Sequence, residues 1–211
     1  MKLNKKQIAI ILNLWLLVME VMGFVIAIRN NGIKILGFYT QESNLILLIA
    51  TIFYLASMFG NDMLENVKVK KWVAMFKYVG VCLVAVTFAV VVFAFVPMCI
   101  PYGGKAVYDV LFGGANFCHH FGCPIFALVS YLFFENDFIP DVKSALIAMV
   151  PTLLYAIVAT TLNILKIIEG PYPFLYVYEQ PVFVSVLWFI GIPLGGFLFA
   201  WLVGLIKKKL N

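Results

Sequence analysis

Charged residues are scarce in this sequence. Only 12% of its 211 residues are charged and 64% are hydrophobic, whereas a soluble domain carries about 25% charged residues. The mean hydropathy is correspondingly high, at +1.03. This composition excludes an ordinary soluble domain and indicates a membrane protein that crosses the bilayer several times.

Metal ligands are also few. The chain contains two histidines and four cysteines, and no two cysteines have the C-x-x-C spacing typical of zinc sites. Free buried cysteines are the plain interpretation, with a bridge between Cys99 and Cys118 as the alternative. A zinc site would need Glu20 or Glu42 to join the two histidines. We therefore expect no metal and no cofactor.

The net charge of +5 first suggests a nucleic-acid partner. However, the lysines lie at the ends of apolar runs, where they anchor a membrane protein, so we expect the lipid bilayer and no nucleic acid as partner. Eleven of the 15 lysines and arginines fall on one predicted side of the membrane. The other side holds Arg29, Lys34, Lys105 and Lys166. The positive-inside rule then predicts a multi-pass protein of the cell membrane with both termini in the cytoplasm.

The apolar runs predict an all-α fold of six transmembrane helices in one domain covering residues 1–211. The expected helices are 7–28, 40–59, 74–96, 111–134, 142–165 and 182–206, the second of them beginning between residues 40 and 42. We expect the third helix to stop at Pro97 and the fifth to be kinked by Pro151. No internal repeat or low-complexity linker divides the chain.

A polar stretch from Asn116 to Pro124 lies inside the fourth apolar run and contains both histidines. Ionisable residues at membrane depth are costly and are candidates for function. Helical spacing brings Asn116 close to His120, four residues later. Pro124 has no N–H, so the carbonyl of His120 loses its usual helical partner.

The predicted orientation brings three polar stretches to the outer half of the bundle. They are the start of the second helix, His120, and the proline-rich loop around residues 170–174. His120 would lie about nine residues, or ~13 Å, into the fourth helix. Polar groups that converge in an apolar pocket are the usual mark of a binding site.

Thr40 and His120 supply a nucleophile and a base without a metal. A threonine hydroxyl needs a base to take its proton, and histidine suits that role because its ordinary pKa is about 6.5. The alternatives are a helix N-cap for Thr40 and a packing histidine for His120. Ser43 and Asn44 either donate to a developing oxyanion or hold helices together.

Other polar residues complete the candidate site. Tyr172 either caps the pocket or anchors the loop at the membrane surface. We expect Asn116, His119 and Glu42 to contact substrate as well, and Glu42 to influence the protonation of the nearby nucleophile. Glu20 either orients a histidine or carries a proton, or it forms a hydrogen bond between helices.

Three motifs carry a resemblance to a known family: Thr40-x-x-Ser43-Asn44, His120-x-x-x-Pro124 and Gly170-Pro171-Tyr172-Pro173-Phe174. They resemble a bacterial group of six-helix membrane proteins that is distantly similar to the eukaryotic androgen-induced and androgen-dependent multipass lipid hydrolases. In that eukaryotic family a membrane-embedded threonine and histidine hydrolyse fatty-acid esters of hydroxy fatty acids. The resemblance implies Thr40 as nucleophile, His120 as base and a lipophilic ester as substrate. The sequence departs from the bacterial pattern at Glu42, where glutamine is common, and in its doubled histidine.

The leading hypothesis is therefore an intramembrane hydrolase of lipophilic esters. A rival is a solute-binding or transport protein, because six helices and about 200 residues also resemble the substrate-binding subunits of vitamin importers. Those subunits show small-x-x-x-small faces on the first helix, where this chain has Ala9, Asn13 and Leu17. A structural or sensory protein without a small ligand is the third interpretation.

Overall fold

The computed structural model describes residues 3–59 and 67–211, and every regular element within these ranges is helical. The α-helices are α1 (Lys5–Asn31), α2 (Tyr39–Phe59), α3 (Val67–Val90), α4 (Val96–Cys99), α5 (Gly104–Phe112), α6 (Cys123–Phe133), α7 (Val142–Ile164) and α8 (Val182–Leu210). Five helical segments in the described ranges are long and apolar enough to cross a membrane, namely Lys5–Gly37, Tyr39–Phe59, Lys68–Tyr102, Val142–Ile164 and Val182–Leu210. The all-helical fold expected of a membrane protein is confirmed.

The helix predicted over residues 111–134 is divided, so that prediction is wrong. Helix α5 ends at Phe112, and the chain turns through Gly114, whose φ of 56° is costly for residues other than glycine. The side-chain amide of Asn116 donates a hydrogen bond to the backbone carbonyl of Asp109 across this turn, at 3.0 Å. A shorter apolar helix follows, Phe117–Phe133.

Pro97 does not end the third predicted helix, contrary to expectation. The helix widens into a π-helical turn, in which the amide of Val96 bonds to the carbonyl of Val91, five residues earlier. The extra residue relieves the clash between a proline ring and the preceding turn. The same kind of turn, Phe117–Gly122, precedes the proline of α6. Helix α7 continues through Pro151, and its predicted kink stays a prediction.

Helices α1 and α7 each begin with a capping box. The Asn4 side chain accepts a hydrogen bond from the amide of Gln7 at 2.9 Å, and Asp141 accepts one from the amide of Ser144 at 2.8 Å. Hydrogen bonds from the Ser144 hydroxyl and amide hold the pKa of Asp141 below its ordinary value. These caps satisfy amides that the first helical turn leaves unpaired.

Helix α3 forms the centre of the bundle and packs against α2, α6, α7 and α8. Its middle is sealed from the surroundings, with Tyr78, Val81 and Val84 all fully buried. The hydroxyl of Tyr78 donates to the carbonyl of Ala200 in α8 at 2.7 Å. Since a polar group in an apolar interior needs a partner, this bond fixes α8 against the central helix.

A buried polar cluster ties α1 to the C-terminal end of α6. Glu135 accepts hydrogen bonds from the Asn13 amide at 2.8 Å and from the Ser130 hydroxyl at 2.6 Å. Nearby, the ammonium of Lys207 donates to the carbonyl of Tyr131 at 2.7 Å. These contacts place the first turns of α1 and the last turn of α8 at the same end of the bundle.

Replacing Glu135 with alanine is expected to destabilise the protein. The donors of Asn13 and Ser130 would lose their shared acceptor in a buried site, which costs about 1–3 kcal/mol. Thermal unfolding in detergent measures the effect, with Glu169→Ala as control because Glu169 is exposed. Equal melting temperatures for the two variants would contradict the stabilising role of the cluster.

Candidate functional site

A cavity of about 630 Å³ lies where α1 ends and α2 begins, at the end of the bundle opposite to the chain termini. Its wall includes Thr40 from the first turn of α2 and His120 from the π-helical turn before α6. Asn116 and Tyr172 also line it. Four of the residues predicted to form a site therefore share one cavity.

Thr40 is the second residue of α2, so the interpretation of Thr40 as the N-cap is wrong. The amides that follow Thr40 bond instead to the carbonyl of Phe38. The amide of Thr40 donates to the hydroxyl of Tyr172 at 3.2 Å, and the Thr40 hydroxyl lies 3.4 Å from the same oxygen. The loop before α8 thus satisfies an amide that the start of α2 leaves unpaired.

Tyr172 is held by aromatic neighbours on the cavity wall. Its ring stacks on Phe174, with centroids 5.1 Å apart, and lies 5.7 Å from the ring of Phe95. Phe38 meets it edge-on at 5.9 Å. Burial raises the pKa of Tyr172, so its hydroxyl is protonated at neutral pH and can donate a hydrogen bond.

The ring of His120 is fixed by helix α5. Its Nδ1 lies 2.7 Å from the carbonyl oxygen of Val110, which can only accept, so Nδ1 carries the hydrogen. In the neutral ring Nε2 then holds a lone pair. Nε2 makes no hydrogen bond to the described part of the chain. His120 therefore faces the cavity as a potential base.

His119 turns away from the cavity and into the bundle. It is fully buried, and its Nε2 lies 3.6 Å from a carboxylate oxygen of Glu20 in α1. The ring packs against Phe24, with centroids 4.8 Å apart, and occupies the space that a side chain at Gly23 would fill. The predicted contact of His119 with substrate has no support in this geometry, whereas Glu20 does approach a histidine.

Ser43 and Asn44 lie behind Thr40 instead of on the cavity wall. Both donate to the carbonyl of Thr40, at 3.0 and 2.6 Å. The Ser43 hydroxyl also lies 2.9 Å from that of Thr87 in α3, and the Asn44 amide lies 3.3 Å from the carbonyl of His119. They join the first turn of α2 to two neighbouring elements, as the helix-linking alternative predicted.

Of Glu42 and the four cysteines, only Cys99 lies on the cavity wall. Glu42 is half-buried and does not line the cavity. All four cysteines are free, so the Cys99–Cys118 bridge is wrong. Within residues 3–59 and 67–211, no three histidine, cysteine or acidic side chains are grouped closely enough to hold a metal ion.

Sequence reasoning missed several residues of the cavity, and two of them carry polar side chains that could contact a ligand. They are Lys34 and Gln41. The side-chain oxygen Oε1 of Gln41 is buried without a hydrogen-bond partner in the described chain. Gln41 could have been selected because a buried amide needs partners. In the sequence, the contact between Glu20 and His119 is indicated only by the presence of two ionisable residues within apolar runs.

Together the helices and the cavity define a class: an all-helical membrane protein with a partly polar cavity at one end of its bundle. No protein-family model, no curated protein and no solved structure matches this chain. Its function must therefore be argued from the site itself.

Replacing Gly23 with alanine is expected to displace the His119 ring. The new methyl group would overlap the ring, and overpacking of this kind costs about 1–3 kcal/mol. Gly191→Ala is the matched control, because no atom lies within 4 Å of its added carbon. Thermal unfolding in detergent should separate the two, and a Gly23→Ala protein as stable as the control would contradict the close packing.

Proposed function

We propose that the chain crosses the cell membrane six times, with both termini in the cytoplasm. The helix Phe117–Phe133 would supply the fourth crossing, since 17 residues extend ~26 Å and spans of this length occur in bilayers. The uneven distribution of lysine and arginine supports the orientation. The meeting of α1 and α8 at one end of the bundle supports an even number of crossings.

We further propose that the protein is an intramembrane hydrolase of lipophilic fatty-acid esters. One observation carries this proposal: Thr40 and His120 line the same cavity. The hydroxyl comes from α2 and the imidazole from the turn before α6, so two distant parts of the chain supply a nucleophile and a base. The resemblance of the motifs to lipid hydrolases points to the same chemistry.

The reaction would proceed in two steps. The Thr40 hydroxyl oxygen attacks the ester carbonyl carbon while Nε2 of His120 accepts its proton. His120 returns that proton to the departing alcohol oxygen, which leaves an acyl group on Thr40. Water, activated by the same nitrogen, then cleaves the acyl-threonine bond and releases the fatty acid.

Two further groups, the carbonyl of Val110 and the hydroxyl of Tyr172, would support this reaction. The carbonyl of Val110 accepts the Nδ1 hydrogen of His120, which keeps the ring oriented with Nε2 as the nitrogen that accepts a proton. The protonated hydroxyl of Tyr172 lies 3.4 Å from the Thr40 oxygen, near the position of a developing oxyanion. The N-terminal end of α2 adds a positive dipole at the same place.

The contact between Glu20 and His119 would position the base. Consecutive side chains on a helix point in different directions. Anchoring His119 against α1 therefore directs His120 to the other side of the π-helical turn, toward the cavity. In this interpretation Glu20 acts through its neighbour and does not touch the substrate.

Thr40→Ala and His120→Gln are each expected to lower ester hydrolysis by about 10²–10⁴-fold, because each removes a partner of the proton transfer. Hydrolysis of a fluorogenic long-chain ester and labelling by a lipophilic fluorophosphonate measure the loss in purified protein. The control is Thr161→Ala, a change at an exposed threonine of α7.

Undiminished labelling of a folded Thr40→Ala protein would remove Thr40 from the mechanism. A small molecule retained through purification by the wild-type protein, with no turnover of any ester, would favour the solute-binding alternative instead.

A further inference from the structure

We propose that the acyl chain of the substrate begins in a narrow apolar slot beside Thr40 and continues along an apolar groove that faces the bilayer between α3 and α8. This inference rests on the proposed hydrolase function, because it places the ester carbonyl at Thr40. It adds the route by which a lipid reaches the site and the residues that select its chain.

The slot shares its first residues with the cavity. It has a volume of about 40 Å³, and its wall includes Thr40, Phe95 and Tyr172, all three of which also line the cavity. Thr40 therefore lies between a largely apolar slot and a partly polar cavity. A group bound at its hydroxyl could extend into either of them.

The chemistry of the slot favours a hydrocarbon chain. Beyond Thr40 its wall consists largely of apolar side chains, including Val90, Phe174 and Ile192. The hydroxyls of Tyr39 and Thr152 also lie there, but they are bonded to each other at 2.7 Å. A polar ligand group would find few free partners and would lose its own hydration, whereas an alkyl chain needs none.

A groove on the outside of the bundle adjoins the slot. This groove, about 590 Å³ in volume, lies between α3 and α8 and shares Val86, Val90, Trp188 and Ile192 with the slot. The exposed side chains of Phe93 and Leu187 form its outer rim. In a bilayer this surface faces lipid, so a chain can enter sideways without crossing water.

Two glycines keep the groove open. Both Gly191 and Gly195 line it, and no atom lies within 4 Å of the carbon that a side chain would add at either position. A side chain added at Gly195 therefore starts in open space, and Gly195→Leu should narrow the groove. Selection here is steric, because a chain that leaves the bilayer gains little from apolar burial.

The cavity on the other side of Thr40 suits the alcohol part of the ester. Asn31, Lys34 and Asn116 lie on its wall, and Asn31 and Lys34 are exposed. The substrate class that fits both spaces is an amphiphile whose ester joins an alkyl chain to a more polar alcohol.

Chain-length dependence of hydrolysis tests the slot. Gly195→Leu, and Gly191→Leu as a second variant, should lower kcat/KM for a 16-carbon acyl ester at least tenfold and leave a 4-carbon ester unchanged. Gly104→Leu on α5 is the control, since its added carbon also meets open space. Equal loss for both chain lengths, or no loss for either, would overturn the proposed route.

Binding without turnover separates this inference from the proposed function. A 16-carbon fatty acid with a photoreactive diazirine near its methyl end should label the Trp188 region saturably, in the wild type and in Thr40→Ala. Gly195→Leu should reduce that labelling at least threefold. Labelling that persists in Gly195→Leu would indicate surface lipid only and would overturn the slot, even if the wild type hydrolyses esters. Labelling as expected, without any hydrolysis, would leave the slot standing and reject the hydrolase.

Discussion

The arrangement of the site depends on how the π-helical turn before α6 sits against α1. A buried carboxylate–imidazole contact joins the two, with Nε2 of His119 lying 3.6 Å from Glu20. The absence of a side chain at Gly23 lets the ring approach the α1 backbone. Ionisable groups are tolerated inside an apolar bundle mainly when they face each other. In the proposed mechanism, this contact sets the rotation of the turn and, with it, the direction of His120.

Thr40 is held in a comparable way from three sides. Its amide donates to Tyr172 in the loop before α8, and its carbonyl accepts from Ser43 and Asn44. Through Ser43 the first turn of α2 is also joined to Thr87 of α3. The backbone that carries the Thr40 hydroxyl therefore has little freedom to move. Preorganisation of this kind is what a nucleophile requires, since small errors of position are costly in rate.

Much of the fold could be predicted from the sequence, because apolar run lengths are a local property. Five long helices follow from them, with ends within a few residues of the prediction in most cases. The break at Gly114 and the continuation past Pro97 could not be predicted so easily. Both depend on backbone geometry, a positive φ in one case and a π-helical turn in the other, which composition does not reveal.

The candidate site was predicted in part. His120 stood out because ionisable residues at membrane depth are rare, and Thr40 because it lies in a polar stretch at the start of the second predicted helix. Both line the cavity. The choice between two adjacent histidines, however, depends on contacts with residues far away in the chain. Glu20 contacts His119 and Val110 contacts His120, and these contacts determine which ring faces the cavity. No local pattern links either residue to one particular ring.

Hydrolysis of a lipid ester requires that water and a hydrocarbon chain reach the same atom. The cavity around His120 has polar and exposed residues on its wall, including Lys34, whereas the slot beside it is almost entirely apolar. Thr40 belongs to both walls. A nucleophile deeper in the bundle would lack water for deacylation, and one nearer the surface would lack the apolar contacts that hold an acyl chain. The boundary between the two spaces is therefore the position that best satisfies both requirements of the proposed reaction.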